Sequence, residues 1–208
     1  MHMLTFRDHH RTAVHASIDV VAGVRTEHLT LATPCAGWTL ADLLAHMTAQ
    51  HHGFAAAARG HGADLSVWRT EPFAAAVASD PAGTYATAAQ EALTAFAAED
   101  IDDTAFALPE LGPGISVPGR TAAGFHFVYS LAHGWDVAAT LRIPYTLPSV
   151  VLAAALPVVM AVPDGDVRDA DDFPFARALH SQDTDDDLAH ILRHLGRDPN
   201  TVTACSGP

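Results

Sequence analysis

Lysine is absent from this chain of 208 residues: all eleven of its basic residues are arginine. That absence excludes any chemistry needing a lysine of its own, whether the Schiff base of pyridoxal-phosphate catalysis or a phosphate-loop lysine. Positive charge is scarce altogether. Twenty-four acids against eleven bases leave a formal charge of -13, which repels a phosphate backbone and supplies no basic stripe, so no nucleic-acid partner is expected. Cysteine is nearly missing too. Cys35 and Cys205 stand far apart and form no CxxC pair, which points to neither a disulfide framework nor a cysteine zinc site. No apolar run reaches the ~20 residues that cross a bilayer, and the opening MHMLTFRDHH lacks the basic end and apolar centre of a signal peptide. The expectation is a cytoplasmic protein with no membrane partner.

What is present suffices for a core. With 49% hydrophobic and 17% charged residues, the chain is expected to fold rather than stay disordered. Its length suits one domain over 1–208, with a bundle over about 5–161 and a C-terminal extension over about 162–208. Histidine is abundant, with fourteen copies. His2, His9, His10 and His15 crowd the start, where surface placement explains them as well as any role does, so position has to decide.

Apolar spacing predicts a first helix over about Thr5 to Leu29, striped by Ile18, Val21, Val24 and Leu29. TPCAGWT then interrupts it, and Thr39 with Asp42 forms a capping-box pattern that starts a second helix near Leu40. That helix carries Leu40, Leu43, Leu44, Met47 and Phe54 on one face and stops near Gly60 or Gly62. His51 falls within its apolar stripe, as a packed, hydrogen-bonded core residue would, and His46 lies on the flank. Residues 61 to 81 read as irregular around Trp68 and Phe73, with a helical alanine run. AGTYATAAQEALTAFAAE reads as a third long helix. LPELGPGISVPGR suits a loop or short hairpin. A fourth long helix is expected over about Thr121 to Leu141, and a fifth from Pro148 that Pro157 bends or interrupts. An acidic loop follows, and a last short helix stops at Gly196. The fold class is all-α.

In the fourth helix, within VYSLAHGWDVAA and the turn before it, His126, Tyr129, Ser130, His133 and Asp136 share about a third of the circumference. Solvated faces are normally built from glutamate, lysine, arginine and glutamine. This stripe has none of them; its residues are types that bind metals or move protons. Apolar residues occupy much of the remaining surface, so the helix is expected to be interior. A metal site in a bundle needs ligands from more than one helix, and His46 with His133 is the natural pair. A third ligand is expected one turn from His133, where Tyr129, a rare ligand, stands. The same pocket without a metal suits acid/base chemistry by His46, His126, Tyr129, His133 and Asp136, of the kind that runs an isomerisation, a cyclisation or a small hydrolysis. A non-catalytic small-ligand binder is a third reading.

TPCAGWTLADLLAH, LAHGWDVAAT and the ending LGRDP, in that order, resemble the DinB-like superfamily, above all its actinobacterial branch related to mycothiol-dependent maleylpyruvate isomerase, whose members are often named only as metal-binding proteins. The resemblance implies an up-down-down-up four-helix bundle with extra terminal helices and a divalent metal, such as zinc, nickel or iron, at one end. It further implies a small-molecule substrate, activation of a thiol or water by the metal, and mycothiol as the thiol in an isomerase or transferase reaction. The first metal histidine of that pattern matches His46 and the later one His133. Its remaining ligand is a glutamate four residues before the later histidine, and here that position is Tyr129. A phenol with a pKa near ~10 must lose its proton before it coordinates well. Three arrangements therefore stay open: Tyr129 as a phenolate ligand, His126 or His51 completing the site, or a site without metal. Cys35, Trp38 and Trp135 are read as packing near the site, Cys205 as incidental. The sequence leaves a homodimer open.

Overall fold

The computed structural model describes residues 5–170 and 173–201; His2 and Cys205 lie outside them. Seven α-helices stand among the described residues: α1 (Phe6–Val21), α2 (Leu40–Ala58), α3 (Glu71–Ser79), α4 (Pro81–Phe96), α5 (Gly119–Leu141), α6 (Ser149–Met160) and α7 (Asp187–His194). One small hairpin, β1 (Ala105–Ala107) with β2 (Ser116–Pro118), precedes α5, with Phe106 paired to Val117. The architecture is an all-α helical bundle.

The helix starts follow from local chemistry. Thr5 with Asp8, and Thr39 with Asp42, form reciprocal capping boxes at the heads of α1 and α2, each satisfying amides that a helix start leaves unpaired. Asp80 caps α4 through the Gly83 amide, with Pro81 in the first turn, where its missing N–H costs nothing. Expectation and structure part at the end of α1, which stops at Val21. Val24 and Leu29 are buried as the stripe required, but from an irregular segment and a 3-10 turn at Thr26–His28. Burial periodicity marks what faces the core, and a turn can present apolar residues to it as well as a helix does.

Four helices form the bundle, and their contacts fix its directions. Phe6 meets Phe127 at a ring separation of 5.6 Å, and Ser17 lies against Gly134, so α1 and α5 run the same way. His46 faces His133 and His51 faces His126, so α2 runs against α5. Tyr85 bonds to Ser17 and Phe96 touches His10, so α4 runs against α1. The result is up (α1), down (α2), down (α4), up (α5). Helix α5 is the most enclosed, with buried residues on every side from Gly119 to Ala138. Gly134 allows α1 to come close: a Cβ there would lie 2.7 Å from the Tyr145 hydroxyl and 3.2 Å from the Ser17 Cβ. Helix α7 packs on α6, and its Ile191 and Leu192, with Leu195, join the same apolar cluster as Val14, Leu43 and Leu131. That docking carries the chain beyond α7 to the end of the bundle where α2 begins and α5 finishes.

Candidate functional site

The capping box at Thr39 sets the first turn of α2 at this end of the bundle, and His46 follows two turns later. The preceding TPCAGWT segment folds over it, and Trp38 sets its ring against the His46 imidazole at 4.9 Å. Helix α5 brings Tyr129 and His133, one turn apart, onto the same spot. The ring centres stand 5.6 Å apart for His46 and His133, 5.6 Å for His46 and Tyr129, and 4.5 Å for Tyr129 and His133. Three side chains from two antiparallel helices thus surround one small volume. The Tyr129 hydroxyl is buried and has no hydrogen-bond partner among the described residues; a buried phenol normally finds one.

Behind His133 stands Asp136, three residues along and fully buried. Its Oδ2 lies 2.8 Å from His133 Nδ1. Arg197, from the segment after α7, grips the same carboxylate with both prongs, Nε to Oδ1 at 2.9 Å and Nη2 to Oδ2 at 2.8 Å. The Cys35 thiol donates to Oδ2 from 3.4 Å. Burial alone would push the Asp136 carboxyl up; the charge of Arg197 and the hydrogen bond from His133 outweigh it and hold the group below the usual carboxylate range. An ionised carboxylate only accepts. His133 therefore carries its proton on Nδ1, and its Nε2 lone pair is the free one, as in the carboxylate–imidazole pairs that orient metal ligands and catalytic bases.

Burial dominates the rest of the site. It lowers His133 from the ordinary histidine range despite Asp136, and lowers His46 to about 3 with help from His133. Both imidazoles are neutral at neutral pH. Burial, with Tyr85 and Glu110 adding to it, raises the Tyr129 phenol well above its ordinary value. Burial and the neighbouring Asp136 raise the Cys35 thiol to about 12. Tyr129 and Cys35 are thus proton donors, and neither the phenolate nor the thiolate form is favoured.

This bears on a metal in two ways. Imidazoles that share one tetrahedral ion through Nε2 have ring centres on the order of 5 Å apart, and the His46–His133 spacing fits. Tyr129 does not fit as the charged third ligand, because it is held protonated. Cys35, His133 and Asp136 do bring donor atoms within 4.8 Å of one another, but the Arg197 guanidinium already engages both oxygens of that carboxylate, and a second cation there would meet it.

His126 is not part of this pocket. Although it shares the polar stripe of α5, it lies two turns from His133 and both its ring nitrogens are engaged in the core, 2.7 Å from His10 and 2.8 Å from His51. His126 and His133 share an angle round the helix, and the seven residues of height between them, about two turns, keep them apart as their spacing implies. His51 is a core residue, fully buried and hydrogen-bonded on both nitrogens. Arg197 and Cys35 are the partners that sequence reading did not assign. Arg197 belongs to the LGRDP ending, yet nothing local to that pentapeptide indicates a contact 61 residues away. Cys35 precedes a helix start, as expected, but it bonds to Asp136 rather than to the helix.

The family model described as the mycothiol maleylpyruvate isomerase N-terminal domain matches residues 10–138. Two relatives from Mycobacterium tuberculosis, Uncharacterized protein MT0763 of strain CDC 1551 / Oshkosh and Uncharacterized protein Rv0738 of strain ATCC 25618 / H37Rv, are each 30% identical to this chain over 131 residues. The alignment covers 62% of this chain and 64% of each relative. No solved structure matches. Arg197 lies beyond the region matched by the family model.

Proposed function

Because the chain belongs to the mycothiol maleylpyruvate isomerase N-terminal domain family, we propose that its pocket binds a small molecule, with a thiol as co-substrate, and moves a proton between them. One observation carries the reading: Asp136 takes the Nδ1 proton of His133, so the Nε2 lone pair is free beside Tyr129, whose buried hydroxyl lacks a partner. His133 Nε2 takes a proton from the S–H or O–H of the ligand, and Asp136 stabilises the imidazolium that forms. Tyr129 donates its hydrogen bond to the substrate oxygen that gains negative charge, so the phenol works as a proton donor. His46 closes the opposite wall. Returning the proton from His133 to a different atom completes an isomerisation and leaves the protein unchanged. Arg197 offsets the charge of Asp136, which keeps His133 from being permanently protonated.

The 5.6 Å spacing of His46 and His133 favours a second reading, in which these two hold a divalent ion. Such an ion would polarise a thiol, a water or a carbonyl oxygen. Turnover of maleylpyruvate with mycothiol, measured on full-length, tag-free protein with and without a chelator, separates the two. The first reading predicts turnover that persists in chelator, falls about 10²- to 10⁴-fold in His133→Ala, and falls in Tyr129→Phe. Turnover that stops with the chelator and returns with zinc, nickel or iron establishes the second. Turnover indifferent to His133→Ala overturns both.

A further inference from the structure

A second polar assembly lies deeper in the bundle, outside the pocket. His10 Nε2 lies 2.7 Å from His126 Nδ1, and His126 Nε2 lies 2.8 Å from His51 Nδ1. His51 Nε2 lies 2.9 Å from the Tyr85 hydroxyl, which lies 2.7 Å from Ser17 Oγ. His10 is 2% exposed and the other four are at 0%. The chain of contacts leaves α1, visits α5, α2 and α4, and returns to α1 seven residues further on. Every helix of the four contributes to it.

Its far end gives the chain a direction. The Ser17 hydroxyl donates to the Val14 carbonyl at 2.7 Å, a group that only accepts. The single Ser17 proton is used there, so Ser17 Oγ accepts from Tyr85, and the Tyr85 oxygen accepts from His51 Nε2–H. His51 Nδ1 is then a lone pair that accepts from His126 Nε2–H, and His126 Nδ1 accepts from His10 Nε2–H. One neutral arrangement therefore satisfies all these bonds: three imidazoles, each protonated on Nε2 alone. A further proton on Nδ1 of His51 or His126 would set donor against donor across 2.8 or 2.7 Å and break a link between helices.

Among the described residues, nothing facing the rings compensates such a charge. The α1 helix contributes His10 and Ser17, and α2 contributes His51 with Phe54 against His126. From α4 come Tyr85 and Phe96, the latter against His10 and His126 and stacked on Phe106 of the hairpin. From α5 come His126 itself, Tyr129 at ring distances of 6.4 and 6.5 Å, and the charge influence of His133 on His51. Glu110, between the strands, influences Tyr129, and no carboxylate acts on the three histidines.

We propose that this chain is an acid-sensitive latch, which clamps the four helices together while its three imidazoles are neutral and releases them when they take up protons. Burial supports this by lowering His10 to about 4 and His51 to about 3, and by holding His126 well below the usual value, the last two with help from their neighbouring histidines. An unfolded histidine titrates near ~6.5. The contribution of the latch is therefore whole above that pH and is lost as pH falls toward the folded-state values, by up to about tenfold in the folding constant per histidine per pH unit.

The test is the unfolding constant of the full chain, from denaturant titrations at pH 8 to 5, for wild type and for His126→Gln, whose neutral amide can both donate and accept. Between pH 6 and 5 the wild-type constant is expected to rise with an uptake of about three protons from the latch, and the variant with about one fewer, so that the variant's constant rises roughly eightfold less over that unit. Imidazole 15N spectra of folded wild type at pH 6 keep the proposal testable if the variant does not fold. They are expected to show His10, His51 and His126 as neutral Nε2–H forms. Equal slopes in the two proteins, or a charged or Nδ1–H ring among the three, overturns the latch.

Discussion

Three groups converge on the Asp136 carboxylate, and Arg197 alone among them carries a fixed positive charge. Replacing Arg197 with Gln leaves a buried carboxylate with a thiol and a neutral imidazole for company. The expected loss is about 3 to 5 kcal/mol in urea unfolding, the range for breaking a buried pair from one side, and Asp136→Asn in the same chain should return much of it. A loss below about 1 kcal/mol would mean that water reaches the pair as it does at exposed ones. Tyr129 supports a second test. Glutamate in its place puts a carboxylate beside two imidazoles whose spacing already fits an ion, so Tyr129→Glu should bind zinc at least about tenfold more tightly than wild type in a competitive chelator titration. Unchanged affinity would show that the imidazole pair does not converge on one ion. The convergence of His46 with His133 was legible in the sequence because a bundle site draws on more than one helix and the motifs TPCAGWTLADLLAH and LAHGWDVAAT each carry one of the two. His10, dismissed as one of a crowd at the start, was not legible: only the packing of α1 against α5 distinguishes it from His9.

At the scale of elements, capping chemistry carried most of what the sequence revealed. Thr39 and Asp42 set the start of α2 to the residue, and the proline- and glycine-rich segment before α5 became the hairpin. The alanine run near Phe73 became α3. The end of α1 was misjudged because Val24 and Leu29 serve the core from outside a helix. Close approach between helices is the property that spacing patterns do not carry, and Gly134 shows its importance. Valine there would force its side chain against Tyr145 and Ser17, parting α1 from α5 near the end of the latch. Overpacking of this kind costs typically about 1 to 3 kcal/mol. Gly134→Val is expected to lower the unfolding midpoint accordingly, and a midpoint equal to wild type would show that α1 shifts freely.

For the molecule as a whole, two polar constructions share one bundle and serve opposite ends of the pH argument. The pocket presents a neutral His133 against a fixed ion pair, while the core holds three histidines that have no counter-ion among the described residues. Its net charge of -13 does not bear on the latch, because among the described residues no acid faces the rings; Asp164, Asp166 and Asp169 lie on an exposed loop, where Arg177 pairs with the last two. The all-α bundle and its up-down-down-up order were legible from the sequence signatures. The division of the α5 stripe into two separate networks was not, because it depends on which neighbouring helix each histidine meets.

One consequence reaches back to how the chain is made. The carboxylate at position 136 is synthesised sixty-one residues before the guanidinium that neutralises it. Until α7 has docked and brought Arg197 in, the four-helix scaffold must either carry an unmatched charge behind its pocket or keep that carboxyl protonated. The hollow is therefore completed by the segment after α7, and a chain cut short before residue 197 would hold its frame around an unbalanced centre.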